Sequence, residues 1–480
     1  MMWEVLVWLG IIIAVFLLFG LTIFVHELGH FLFALARGMV VERFAVGFGP
    51  PIWKKKIKGV DWCICAIPFG GYVSLPQMAP MEMLEGESKL DKEELPVAKP
   101  IDKIWAALGG PLFSALFGVF LAVIVGGVGR PIQESRMTTV IGYVEPNMPA
   151  AKAEIPLEPG DKILAIDNKP VTDYAVTPNS VVEAIAFSRR SKIQFDVERV
   201  LPNGVSELVT TLIQPTKDDA VGIRRVGIMP AVRLVVGEVL ENSPAAMSGL
   251  RVGDEIIRID GKKVYHPILF SDVVVKNNNQ PLSFSYLREG KEYNGVFTPQ
   301  IPQGATEPFV GISWKQDLLT IVHPSPIQLV LDSLISVKKT MGAITDPNSD
   351  IKIKHMSGPL GILMMYLMLL REDIRLVLWF SVVLNINLAI VNLLPIPVVD
   401  GGHILLSAIE GVIRRPLPAR LVSALQSAFA IILISFMLYV TFFDATRGLK
   451  MFSELKRQVK KLKSRKRLNL LQNLNLPIHK

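Results

Sequence analysis

The stretch LTIFVHELGHFLFALARG, residues 21–38, places two imidazoles and a carboxylate, His26, Glu27 and His30, at the end of a run apolar enough to cross a bilayer. No side chain from Val5 to Val25 is charged, and about 20 such residues span the hydrocarbon core as a helix. Ionisable groups in that setting are expensive and mark function. Residues four apart on a helix stand one turn above the other on the same face, so His26 and His30 can reach one ion. Glu27 lies beside the pair. In an H-E-x-x-H pattern this carboxylate does not bind the metal but takes a proton from metal-bound water. A bound cation would also offset the desolvation of three titratable groups.

The rest of the chain supports a membrane setting. Its 480 residues are 50% hydrophobic with a mean hydropathy of +0.40, enough for two to four domains. Stretches of spanning length run from Val5 to Val25, Ile104 to Val128, Leu376 to Leu394 and Leu421 to Phe443, which predicts four transmembrane helices. The apolar run MSGPLGILMMYLMLL is only 15 residues long and reads as an interfacial or buried helix. The start, MMWE, lacks the basic flank of a cleaved leader, so the first run is expected to stay as a span.

The run KKKIKG after the first span and the absence of Lys or Arg before it predict an N-terminus outside the cytoplasm. Four spans then carry the tail KRQVKKLKSRKR outside as well, against the usual bias, and it reads as a solvated or headgroup-bound helix. The net charge of +8 comes largely from these two segments and points to anionic lipid, not nucleic acid. Cys63 and Cys65, the only cysteines, are two apart on one predicted strand, poor geometry for a mutual disulfide, and read as structural thiols. Residues 75–100, rich in Pro, Met and mixed charge, are expected to form a loop.

Between the second and third spans lies a polar region with an internal repeat. NMPAAKAEIPLEPGDKILAIDNKPV, from Asn147, matches NSPAAMSGLRVGDEIIRIDGKKV, from Asn242. A small-residue helix start, a Gly-Asp turn and an alternating strand make a compact β-rich module with a short helix, and two copies make two modules. Both copies resemble the bacterial type of PDZ domain. That resemblance implies a groove beside a sheet edge able to take an extended peptide, although the residues ahead of Val140 and Val235 carry no strong carboxylate-binding signature.

A catalytic zinc site needs a third protein ligand at the same membrane depth and leaves a fourth position to water. His26 lies roughly 30 Å along the first helix at 1.5 Å per residue. The third span enters from the same side and descends a similar distance to NLLPIPVVDGG, where Pro395 and Pro397 break the helix and bring Asp400 to the depth of the histidines. Irregular backbone at that depth is tolerated where it lines a buried polar site.

HELGH, NLLPIPVVDGG, IPFGGYV and the paired PDZ-like repeats together resemble the site-2 protease family of intramembrane zinc metalloproteases. The resemblance implies His26, His30 and Asp400 as zinc ligands, Glu27 as the catalytic base, and Asn387 and Asn392 as groups that position substrate or stabilise the developing oxyanion. It also departs from the pattern. Where the family's second span commonly has Asn three residues after Gly-Pro, this chain has Ser114. The segment following the metal-binding helix, with Gly70 and Gly71 near its end, reads as a membrane-associated β-hairpin whose edge could receive an unwound substrate.

The expected fold is a multi-domain membrane protein: a four-helix catalytic core with a β-hairpin, plus two α+β PDZ-like domains. The expected limits are 1–130 for the first half of the core, 131–221 and 222–305 for the PDZ-like domains, 306–446 for the second half and 447–480 for the basic tail. The expected cofactor is Zn2+, since two histidines, one carboxylate and a water favour it, though donor type alone leaves manganese and iron open. Expected partners are single-pass membrane substrates and lipids, with no nucleic acid and a monomeric state. The expected setting is a bacterial inner membrane, with the site toward the cytoplasm and the PDZ-like domains outside. The alternative is a non-enzymatic membrane scaffold binding peptide termini, in which a metal would be closed by four protein ligands; His403 is the residue to consider as a fourth.

Overall fold

The computed structural model describes residues 2–78, 98–218, 222–277, 279–301, 307–315 and 318–473. It divides into two compact units, one of Met1–Gly127, Ser325–Ser333 and Ile353–Lys480, the other of Val128–Pro324 and Leu334–Lys352.

The first unit opens with α1 (Met2–Ala36), followed by strands β1 (Arg43–Ile57) and β2 (Val60–Ser74) and then α2 (Pro100–Val128). A helix is the only way an isolated apolar segment can satisfy its backbone in lipid. α1 and α2 meet backbone to backbone at Gly29 and Gly109. A Cβ added to Gly29 would lie 2.1 Å from the Gly109 carbonyl oxygen, and one added to Gly109 would lie 2.4 Å from that of Gly29. Small residues permit this approach, and any larger side chain would separate the helices.

β1 and β2 form the expected hairpin. Lys58 and Gly59 turn it with φ of 49° and 87°, the two positive values that a type I′ turn requires. β2 doubles back, so that Phe44 pairs with both Trp62 and Val73. Cys63 and Cys65 are free and buried with Ala45 and Tyr72, consistent with structural thiols. Residues 79–97, most of the expected loop, lie outside the described residues.

After the second unit the chain forms α3 (Pro359–Glu372), α4 (Ile374–Asn392), α5 (Asp400–Ile413) and α6 (Ala419–Asn473). α3 packs on Val15 of α1 and Val377 of α4 through the buried ring of Tyr366. Its start is held by Asp444 of α6, whose carboxylate accepts from the backbone N–H groups of Gly358 and Gly361. α6 continues as one helix into the expected tail as far as Asn473, and residues 474–480 lie outside the described residues.

Among the described residues five helices, not four, are long and apolar enough to cross a membrane: Ile12–Ala36, Pro100–Val128, Ile353–Glu372, Ile374–Asn392 and Arg420–Leu449. The additional one is the short run read as interfacial, lengthened by the turn Ile353–His355 and the last residues of α3. At a hydropathy of 1.3 it is the least apolar of the five. Its regular part, 14 residues, is about 21 Å long against a hydrocarbon core of about 30 Å.

The second unit holds two cores, one built on Ile163, Ile166, Ile193 and Phe195, the other on Leu234, Ile256, Ile259 and Phe284. The repeat explains their likeness. In each copy the Gly-Asp turn feeds a strand, Lys162–Ile166 or Glu255–Ile259, which then reverses through Asp167-Asn168 or Asp260-Gly261 at positive φ. The buried Asp161 accepts from the Glu158 N–H and from two nitrogens of Arg199 at 2.8 and 2.7 Å. Asp254 does the same with the Arg251 N–H and Arg288. Each core is closed by a strand beyond the expected limits at 221 and 305: Ile228–Pro230 pairs with Ile141–Val144, and Ile312–Trp314 pairs with Leu234–Val239. These strands are too short to read as such alone, and only the pairing defines them.

Candidate metal centre

α1 carries His26, Glu27 and His30 to one wall of a cavity of about 320 Å³, and Asp400, the first residue of α5, faces them. Asp400 can be there because the chain between α4 and α5 folds tightly under it. A Cβ on Gly401 would lie 2.2 Å from the Leu394 carbonyl oxygen, and one on Gly402 would lie 2.1 Å from that of Ile396. Two glycines thus let α5 start directly against the proline-interrupted loop.

The donor atoms converge. His26 Nε2 lies 3.2 Å from His30 Nε2 and 3.3 Å from Asp400 Oδ2, and His30 Nε2 lies 3.3 Å from Asp400 Oδ1. Among the described residues, these three are the group of His, Cys, Asp and Glu side chains close enough to share an ion. A tetrahedral ion with bonds of about 2.0 Å has ligand–ligand edges of about 3.3 Å; the two imidazole nitrogens stand at that spacing, and the carboxylate turns one oxygen to each, a donor set close enough to share one ion.

Hydrogen bonding at the far side of each ring strengthens that fit. The Ala106 carbonyl oxygen, 2.8 Å from His30 Nδ1, can only accept, so Nδ1 carries a proton and a neutral His30 presents a bare lone pair at Nε2. His26 Nδ1 lies 3.0 Å from Ser114 Oγ. Asp400 Oδ2 is buried without a hydrogen-bond partner. Acceptor atoms facing one another in a buried cavity call for a cation between them.

Glu27 is 7% exposed and lines the same cavity. It is accommodated by Gly71, where an added Cβ would meet Glu27 Cγ at 2.9 Å. Gly70, at φ +90°, turns the strand where a side chain would strike the Phe48 ring. Both glycines line the cavity, as does Asn392, whose Nδ2 donates to His26 Nε2 across 3.2 Å. Asn387 does not line it, and its Oδ1 is buried without a hydrogen-bond partner. His403 lines the cavity beside Asp400 and faces Gln426 of α6 at 3.5 Å. One participant has no local signature in the sequence, the Ala106 carbonyl.

The chain is similar to known proteases over most of its length. The family model described as Peptidase family M50 matches residues 14–436. The regulator of sigma E protease of Salmonella typhi is 30% identical over 464 residues, covering 89% of this chain and 96% of that protein. The regulator of sigma-E protease RseP of Escherichia coli (strain K12) is 28% identical over 462 residues, with coverage of 89% and 96%. A solved PDZ domain of an SdrC-like protein from Listeria monocytogenes is 24% identical, covering 18% of this chain and 90% of that one, with a TM-score of 0.17.

Proposed function

The chain belongs to peptidase family M50 and is a metalloendopeptidase, and from that premise we propose that it is a zinc-dependent intramembrane protease that cuts single-pass membrane proteins within or near their transmembrane segment. The convergence of His26, His30 and Asp400 beside Glu27 carries the reading. These three residues would hold the ion. Zinc held there would polarise a carbonyl and acidify a water.

Glu27, held between the cavity and the hairpin, would take a proton from the attacking water and pass it to the leaving nitrogen. Asn392 now donates to His26 Nε2. With His26 Nε2 engaged as a ligand, the Asn392 amide would be free to donate into the cavity, toward a developing oxyanion. A substrate helix must unwind before its carbonyls are available. The strand edge at Gly70 and Gly71 would then receive the unwound segment by backbone pairing.

In this reading the core has four spans, with α3 short of crossing, and the chain acts as a monomer in contact with anionic lipid. The site lies toward the cytoplasmic side of a bacterial inner membrane. The two PDZ-like domains lie outside and screen substrates, for example an anti-sigma factor already trimmed by an earlier cut. The scaffold alternative would need a closed metal with four protein ligands, and His403 faces Gln426 instead. Glu27→Gln, reconstituted with a transmembrane substrate, separates the two: the protease keeps zinc and loses cleavage by about 10²-fold or more. A parent protein that holds zinc but cuts no transmembrane substrate would favour the scaffold.

A further inference from the structure

One face of α2 is matched to the metal pair. Ala106, Gly110 and Ser114 stand four apart, like His26 and His30, and they meet the histidines in reverse order. The Ala106 carbonyl takes His30 Nδ1 at 2.8 Å, and Ser114 Oγ lies 3.0 Å from His26 Nδ1. Between them Gly110 leaves the space in which both rings sit, since a Cβ there would lie 2.2 Å from His30 Nε2 and 2.8 Å from His26 Cε1. The Gly29–Gly109 contact brings the two helices close enough for this match.

The histidines differ in how firmly their tautomers are set. A carbonyl oxygen accepts only, so His30 is fixed by the backbone whatever side chain stands at position 106. A hydroxyl can donate or accept, so His26 is set by the side chain at position 114, and Ser114 is 0% exposed with no bulk water to substitute for it. The second contact to His26 resolves the direction. Asn392 Nδ2 donates to Nε2, which therefore bears the lone pair, so Nδ1 bears the proton and donates to Ser114 Oγ.

We propose that Ser114 is a positioning residue for the metal centre: its hydroxyl oxygen, accepting from His26 Nδ1–H, holds His26 in the tautomer and ring orientation that present Nε2 to the ion. The inference rests on the zinc reading above. Partners of this kind tune metal affinity by about 10–100-fold. It follows that the ion is gripped by α1 and α5 but tuned by α2, a helix that contributes no ligand.

The test measures zinc affinity by chelator competition on the full-length protein in detergent, with cobalt absorption as a second readout of imidazole coordination. Ser114→Ala, which removes the acceptor without adding bulk, should weaken zinc about 10–100-fold, whereas Ser114→Thr, which keeps it, should stay within about threefold of the parent. The metal-free melting midpoints should agree, separating a positioning effect from a loss of fold. Equal affinity of Ser114→Ala and the parent overturns the proposal and leaves the zinc reading standing. Threonine as poor as alanine also overturns it, because packing rather than the hydroxyl would then matter. A parent that binds no zinc removes the zinc reading itself and this inference with it.

Discussion

Gly110→Ala adds one methyl group to the second span and should empty the metal site. The new Cβ would lie 2.2 Å from His30 Nε2, 2.6 Å from His30 Cε1 and 2.8 Å from His26 Cε1. Ordinary contact needs about 3.4 Å, so the Nε2 atom must retreat by about 1.2 Å, the difference between 3.4 and 2.2. His30 cannot simply swing away, because its Nδ1 is tied to the Ala106 carbonyl at 2.8 Å on the same helix. Metal–ligand distances tolerate only about 0.2 Å. The expected result is a zinc affinity lower by at least about 100-fold, together with loss of cleavage. Helix formation should survive, since alanine is the better helix former by about 1 kcal/mol. Gly127→Ala in the same helix is the control, because nothing lies within 4 Å of its added Cβ. Zinc stoichiometry by elemental analysis and affinity by chelator competition, on both variants and the parent, check the argument. Zinc binding by Gly110→Ala equal to that of Gly127→Ala would show that the ion does not sit where His26, His30 and Asp400 converge.

Four further outcomes are expected. Asp161→Ala removes three hydrogen bonds from a buried carboxylate and leaves Arg199 partly uncompensated; a cost of about 2–4 kcal/mol should appear as a tens- to hundreds-fold loss of hydrogen-exchange protection in strands 162–166 and 193–200, with 255–259 unchanged. Burial raises the pKa of Asp350, but hydrogen bonds from Lys217 and Arg224 and their charges outweigh it and hold the carboxyl below its usual range. A depressed carboxylate contributes stability above its unfolded pKa and loses it as pH falls through the folded value, so the deficit of Asp350→Asn in exchange protection around Arg224 should be full above about pH 5 and shrink as pH falls below the ordinary carboxylate range. Burial raises the thiol pKa values of Cys63 and Cys65; iodoacetamide near neutral pH should label neither until denaturant is added, and rapid native labelling would show that the hairpin opens. Deleting residues 131–305 should relax discrimination between intact and trimmed substrates while leaving peptide hydrolysis, and unchanged discrimination would count against screening by the PDZ-like domains.

Several features were legible because they are local. His26 and His30 share a helix face by spacing alone, and the unbroken apolar run before them specifies the helix. The Gly-Asp turns and the strands after them recur because each is encoded within a few consecutive residues, in both copies of the repeat. The proline-interrupted loop before Asp400 could be read from Pro395 and Pro397, two prolines two residues apart that together remove two backbone donors and break the helix.

Other features depended on chain segments far apart. Asn387 and Asn392 look alike on one span, yet the turn of α4 brings only Asn392 to the cavity. The strands Ile228–Pro230 and Ile312–Trp314 are defined by partners they pair with, not by their own composition. Arg199 and Arg288 carry no mark that distinguishes them from surface arginines until the Gly-Asp turn folds against them.

By itself, then, the order of residues determined which groups can bind an ion, since helical periodicity places neighbours four apart on one face without help from the rest of the chain. Tertiary structure decided what surrounds those groups: Ser114 meets His26 across 88 positions, and Asn392 meets it across 366. Such contacts arise only where helices cross. The crossing here is set by two glycines whose effect is the absence of a side chain, and a contact made through such an absence leaves no pattern in a linear string.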